Sequence, residues 1–148
     1  MIEPVQGVFM IFPGTMIEQS GFDPAEDHIG PFFYGPKSSP EFGRYGFQLE
    51  AKHCNTMGSV HGGVLMTFAD FALCMAATEH YEEETFVTVS FSCEFLRGAE
   101  VGEVITSRPV INRRTGSLVF LSGTCDVAGE PCFAFSSVVK RLRLDRLS

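Results

Sequence analysis

The 148-residue chain is short of positive charge: Lys and Arg total 11 against 18 Asp and Glu, a formal charge of −7. Nucleic-acid affinity comes from clustered cations facing phosphates, so this balance argues against such a partner. The one basic cluster, Lys140-Arg141-Leu142-Arg143, alternates with apolar residues and reads as a solvated strand end. Cysteine pairing is missing as well. The five cysteines are odd in number and show neither CxxC nor Cys/His metal spacing, which leaves no metal site and points to reduced thiols in the cytoplasm. A membrane span is not expected, because the apolar run after Gly62 is short and carries Asp70 near its middle. The opening MIEPVQGVFMIFPGTM lacks a basic start and is broken by Pro and Gly, so a secretory signal is not expected either. Repeats and low-complexity tracts are absent.

With 45% hydrophobic and 20% charged residues, the composition is that of a single globular domain, residues 1–148. Residues 1–42, rich in Gly, Pro and aromatics, read as an N-terminal cap, and 43–143 as the core. Within the cap, Phe22–His28 is a helix candidate with Asp23 as its cap and Pro24 at its first position. Ile29–Tyr34 is a short strand, and Arg44–Lys52 alternates as a half-buried strand. Val60–Glu79 is the long helix, apolar around nearly its whole circumference, so it must be surrounded. Beyond the charged break Tyr81–Glu84, period-two patterning gives strands at 86–95, 102–112, 117–127 and 131–143, with short turn signals at 113–116 and 128–130. Fold class is therefore α+β, an antiparallel sheet wrapped around one long central helix.

Between His61 and Thr78 the only formal charge is Asp70. An ionised carboxylate among so many apolar side chains is costly unless paired or functional. The structural alternative is a partner such as Thr67, Thr78, His53 or an Arg from the sheet. His61-Gly62-Gly63 could by itself simply permit close helix packing, and Asn55 alone would be a turn residue. Cys54 and Cys74 lack an evident base and read as packing.

Taken together, His53-Cys54-Asn55-Thr56-Met57-Gly58-Ser59-Val60-His61-Gly62-Gly63, with Asp70 seven residues on, resembles the hotdog-fold acyl-CoA thioesterases of the PaaI (phenylacetyl-CoA thioesterase-like) type. The resemblance runs over roughly residues 42 to 142. It implies a single hotdog domain, hydrolysis of a small or medium aliphatic or aromatic acyl-CoA, and an active site at a dimer interface, with pairs often assembling into tetramers. It also implies that Asn55 donates to the thioester oxygen and that Thr88 holds the water or orients Asp70; Ser90 is expected on the same face as Thr88. Gly58 and Gly63 complete the motif as substrate-binding candidates. Arg113 and Arg114 are candidates for the coenzyme A phosphates, with Arg97, Lys140 and Arg141 as further cations. No metal or redox cofactor is expected, since coenzyme A enters as part of the substrate.

The chemistry matches these residue types. Backbone N–H groups of Gly62 and Gly63 at a helix start can face a developing oxyanion. Asp70 can act as general base toward water or as a nucleophile forming an anhydride; His61 is expected to cap or orient. One constraint is purely geometric. Asp70 lies eight residues beyond Gly62, about 12 Å along a helix axis, and one carbonyl cannot touch both. If both act on one thioester, they come from different subunits, with two helices antiparallel about a twofold axis. Two rivals remain: a hotdog module that binds acyl-CoA without cleaving it, and a hydratase or dehydratase pairing His61 with a carboxylate.

Overall fold

In the computed structural model, which describes residues 16–78 and 85–142, one long helix lies against an antiparallel sheet. The strands are β1 (Ile17–Gln19), β2 (Phe32–Tyr34), β3 (Tyr45–Gln48), β4 (Thr85–Phe95), β5 (Val104–Ser107), β6 (Val110–Arg114), β7 (Leu118–Val127) and β8 (Glu130–Leu142). Their order is β1-β2-β3-β5-β7-β8-β4, with β6 also paired to β7. Helix α1 spans Pro24–Ile29 and helix α2 Gly62–Thr78, and a short 3-10 turn covers Ala51–His53. The expected α+β architecture is present. No helix among the described residues is long and apolar enough to cross a membrane.

Local chemistry sets the element bounds. Asp23 caps α1 through Oδ1, which accepts from the Glu26 N–H at 3.0 Å, and Pro24 opens the helix, as the sequence implies. Strand β3 stops at Gln48, short of the expected Lys52, because the chain turns into the 3-10 segment: the Glu50 N–H donates to His53 Nδ1 at 2.9 Å. The single strand expected over 102–112 is two, β5 and β6, broken at Arg108-Pro109. Proline has no N–H for the ladder. Gly123 faces this break, where a Cβ would stand 3.3 Å from the Pro109 Cα and 2.9 Å from the Phe135 ring. Residues 79–84 and 143–148, including the expected charged break and the far end of the last strand, lie outside the described residues.

The N-terminal segment is more regular than a cap. β1 and β2 extend the sheet through β3, and Phe32 is 1% exposed. Its ring meets Phe68 and Phe71 of α2 at 5.3 and 5.1 Å and Phe47 of β3 at 5.3 Å. Burying a side chain of this size contributes roughly 2–3 kcal/mol, with a further fraction from edge-on ring geometry. That anchorage holds α1 against α2.

Helix α2 is not covered all round. Val64, Leu65, Phe68, Ala69, Phe71, Ala72, Leu73 and Met75 are buried, while Gly63 and Met66 are exposed and Thr67 and Asp70 are half-buried. At spacings of three and four these four share one stripe. The carboxylate lies on the one open face.

Candidate active site

The segment before α2 is a small hairpin. Cys54 pairs with Val60, the Asn55 N–H donates to the Ser59 carbonyl at 2.7 Å, and the His61 N–H donates to the His53 carbonyl at 2.8 Å. Gly58 closes the turn at φ +79°, a conformation that favours glycine, with its N–H on the Asn55 carbonyl. Asn55 Oδ1 accepts from the Met57 and Ser59 N–H groups at 2.9 and 3.1 Å. With its oxygen held, the exposed amide presents its NH2 outward as a donor.

His61 caps α2. Its carbonyl accepts from the Val64 and Leu65 N–H groups, and its Nδ1 accepts from the Gly63 N–H at 2.9 Å. This corrects the expectation for Gly63, whose N–H is already engaged. Gly62 keeps the free donor at the helix start, with no acceptor among the described residues. A Cβ there would stand 2.9 Å from the exposed Phe95 ring, which would have to shift. Beside it opens a cleft of about 440 Å³ lined by Ser59, Leu65, Phe95, Leu96 and Arg97. Arg97 is held at its rim by Glu130 at 2.9 Å and Glu103 at 3.8 Å.

Asp70 sits halfway down the helix with one close partner, the Thr88 hydroxyl, which donates to its Oδ1 at 2.5 Å. The structural partners considered from sequence are occupied elsewhere. Thr67 donates to the Gly63 carbonyl, Thr78 to the Cys74 carbonyl, and His53 Nε2 to the Ile29 carbonyl. Burial pushes the Asp70 carboxyl above the ordinary range, the Thr88 hydrogen bond pulls it back, and the Asp23 charge pushes it up again. A half-desolvated carboxylate with a hydroxyl and no neutralising cation among the described residues is a base in search of a proton.

Strand β4 is bulged just beyond Thr88. Against β8, Thr88 pairs with Val139 and Ser90 with Val138, so Val89 is the extra residue. The bulge resets the alternation, and the next side chain in from Thr88 is Phe91. Ser90 is exposed on the other face, contrary to the expectation that it shares Thr88's. Cys74 lies 3.8 Å from the Thr88 hydroxyl, but burial holds its thiol up at about 12, so it is no nucleophile. All five cysteines are free thiols.

Of the candidate cations Arg97 lines the donor cleft, but Arg113 and Arg114 do not. Arg113 is exposed on β6, and Arg114 Nη2 donates to the Ala77 carbonyl at 3.0 Å, closing the C-terminal end of α2. Helix rise puts that end about 22 Å from Gly62 in the same chain.

A helix capped by His-Gly-Gly, an Asn amide presented beside it and a carboxylate–hydroxyl pair on the helix's open face offer the donors and the base that acyl transfer uses. A sequence model of the thioesterase superfamily matches residues 57–124. A Pseudomonas aeruginosa PAO1 protein named "Putative esterase PA0474" is 30% identical over 120 residues, 80% of this chain and 88% of that one. The chain belongs to the thioesterase superfamily. The Escherichia coli PaaI protein of the phenylacetic acid degradation operon superposes with TM-score 0.67 at 16% identity, over 82% of this chain and 86% of that one. The smu.793 protein of Streptococcus mutans UA159 does so with TM-score 0.63 at 14% identity, over 68% and 80%. These two establish the hotdog fold.

Proposed function

We propose that the protein is a cytoplasmic acyl-CoA thioesterase acting on small or medium aliphatic or aromatic acyl groups, working as a homodimer with the site across the interface, two dimers pairing as a tetramer. The observation that carries it is Asp70, hydrogen-bonded by Thr88, without a cation among the described residues and on the open stripe of α2. The Gly62 N–H and the Asn55 amide polarise the thioester carbonyl, and Asp70 of the other subunit activates water or attacks directly. Released coenzyme A carries the sulfur away. The chemistry needs no resident metal or redox cofactor.

Three features support the dimer. Donors and base are about 12 Å apart on one helix. The open stripe, with Gly63, Met66 and Thr67 around Asp70, allows a second helix to approach closely. Strand β4 also pairs only with β8 among the described residues and exposes Val87 and Val89, an edge suited to another copy. Coenzyme A as the carrier is supported by the S. mutans neighbour, solved with acetyl CoA bound. Arg113, on β6 at the far end of α2, then stands toward the partner's donor end in an antiparallel pair and is the available cation for the nucleotide phosphates.

Thiol release from a panel of acyl-CoAs tests the reading. Wild type turns over at least one, and Asp70→Asn loses roughly 10²–10⁴-fold in kcat/KM. Equal rates for the two refute the assignment of Asp70. Binding without turnover by either identifies a carrier module instead.

A further inference from the structure

Helix α1 brings a second carboxyl to Asp70. Its three acids are treated differently. Asp23 Oδ1 accepts from the Glu26 N–H, and Asp27 Oδ2 accepts from the Gly21 N–H. Glu26 points the other way: its Oε1 is shut off from solvent with no hydrogen-bond partner among the described residues. The helix is fixed at both ends, by the Asp23 cap and by the Ile29 carbonyl on His53 Nε2 at 2.5 Å, and it packs on α2. With α1 packed on α2, Glu26 is close enough to Asp70 and Cys74 for their charges to interact. A buried carboxylate oxygen without a donor is costly, whereas a carboxylic acid in the same place is not.

We propose that Glu26 is a positioning residue for Asp70: its carboxyl, carried in on α1, stays neutral beside the Asp70 carboxylate, confines the site's negative charge to Asp70 and sets the alkaline end of its working range. Asp70 has the Thr88 hydroxyl to stabilise its ionised form and the buried Glu26 Oε1 has no such donor among the described residues, so of two carboxyls that resist ionising together the proton stays on Glu26. The groups facing Glu26 all act in one direction. Asp23 and Asp27 from its own helix and Asp70 from α2 are acidic, Cys74 is neutral, and no ion-pairing cation faces it among the described residues. Burial first and then these charges push the Glu26 carboxyl up to about 8. No group of three or more His, Cys, Asp or Glu among the described residues could hold a metal ion, so the pair is not a metal cage. Above that pH a second charge appears next to Asp70 and opposes the oxyanion formed in hydrolysis. This role rests on the thioesterase reading.

The test combines carbon-13 carboxyl titration with pH–rate profiles on the full chain, Glu26→Gln and Asp70→Asn. A carboxyl titrating near pH 8 that vanishes in Glu26→Gln and moves to lower pH in Asp70→Asn is expected. A Glu26 midpoint unmoved by Asp70→Asn overturns the pairing. In the rate profiles wild-type kcat/KM falls about tenfold for each pH unit above the Glu26 midpoint, and Glu26→Gln loses that limb. Superimposable profiles overturn the role. Should Glu26→Gln fail to fold, the Asp70→Asn titration decides alone. Coupled titration in a chain that hydrolyses no acyl-CoA upholds the pairing and sinks the thioesterase reading.

Discussion

The N-terminal end of α2 and its middle are built on opposite principles. The end offers hydrogen-bond donors in a positive helix field: the Gly62 N–H, the Asn55 amide with its oxygen tied down, and a cleft against Phe95. The middle offers an acceptor in a negative field, with Asp70 held by one hydroxyl donor and the charge of Asp23 acting on both Asp70 and Glu26. The donors suit an oxyanion and the carboxylate suits a nucleophile's proton. Separating them along a rigid helix keeps the carboxylate off the donors of its own chain, which would otherwise bind it and quench both. In the proposed dimer each half works with the opposite half of a second copy.

The largest effect follows from that division. Asp70→Asn and Asn55→Ala chains, each inactive alone, regain activity when mixed, because a heterodimer holds one site with both halves intact. Mixtures refolded at equal amounts give about a quarter of wild-type activity if pairing is random, which is about half per heterodimer. Continued inactivity in heterodimers verified by native mass spectrometry breaks the comparison, since it would mean that both halves serve one site within a chain.

A smaller effect sharpens the description of the middle. Thr88→Val removes the donor that stabilises the Asp70 carboxylate. The sign follows directly: the hydrogen bond lowers the Asp70 pKa and burial raises it, so without the hydroxyl the midpoint rises. Asp70 works ionised, and the acid limb of kcat/KM shifts to higher pH. An acid limb that does not move would show that Asp70 is not the group titrating there.

Much of this was legible in the sequence, and the gaps have physical causes. The long helix and most strands follow from hydrophobic period, and the Asp23-Pro24 helix start from capping chemistry. Asp70 stood out because a charge in an apolar run has few harmless explanations. Alternation failed at β4, where a one-residue bulge at Val89 reverses the parity that placed Ser90 beside Thr88. It failed at 102–112 because the pattern continues through a proline that the ladder cannot. Circumference failed on α2: an apolar helix surface does not say which stripe the sheet leaves open. Glu26 was missed because Asp23-Pro24-Ala25-Glu26-Asp27 reads as a solvated helix start. Only the docking of α1, fixed by Phe32 far along the chain from Phe68 and Phe71, decides which acid turns inward.

The smallest effect concerns the donor end and tests whether His61 belongs to the chemistry or to the scaffold. Its Nδ1 accepts the Gly63 N–H, the bond an N-cap side chain makes. His61→Ala therefore costs about 0.5–2 kcal/mol of stability, measured by denaturant titration. His61→Asn restores most of it, because Asn is among the best capping residues and its oxygen reaches the same N–H. If His61 only caps, His61→Asn also keeps kcat/KM near wild type, and the Gly62 donor stands where it was. A variant that recovers stability but not turnover would make His61 a participant in the reaction. The donor end would then carry a titrating group of its own, and the contrast between a proton-handling middle and a purely polarising end would fail.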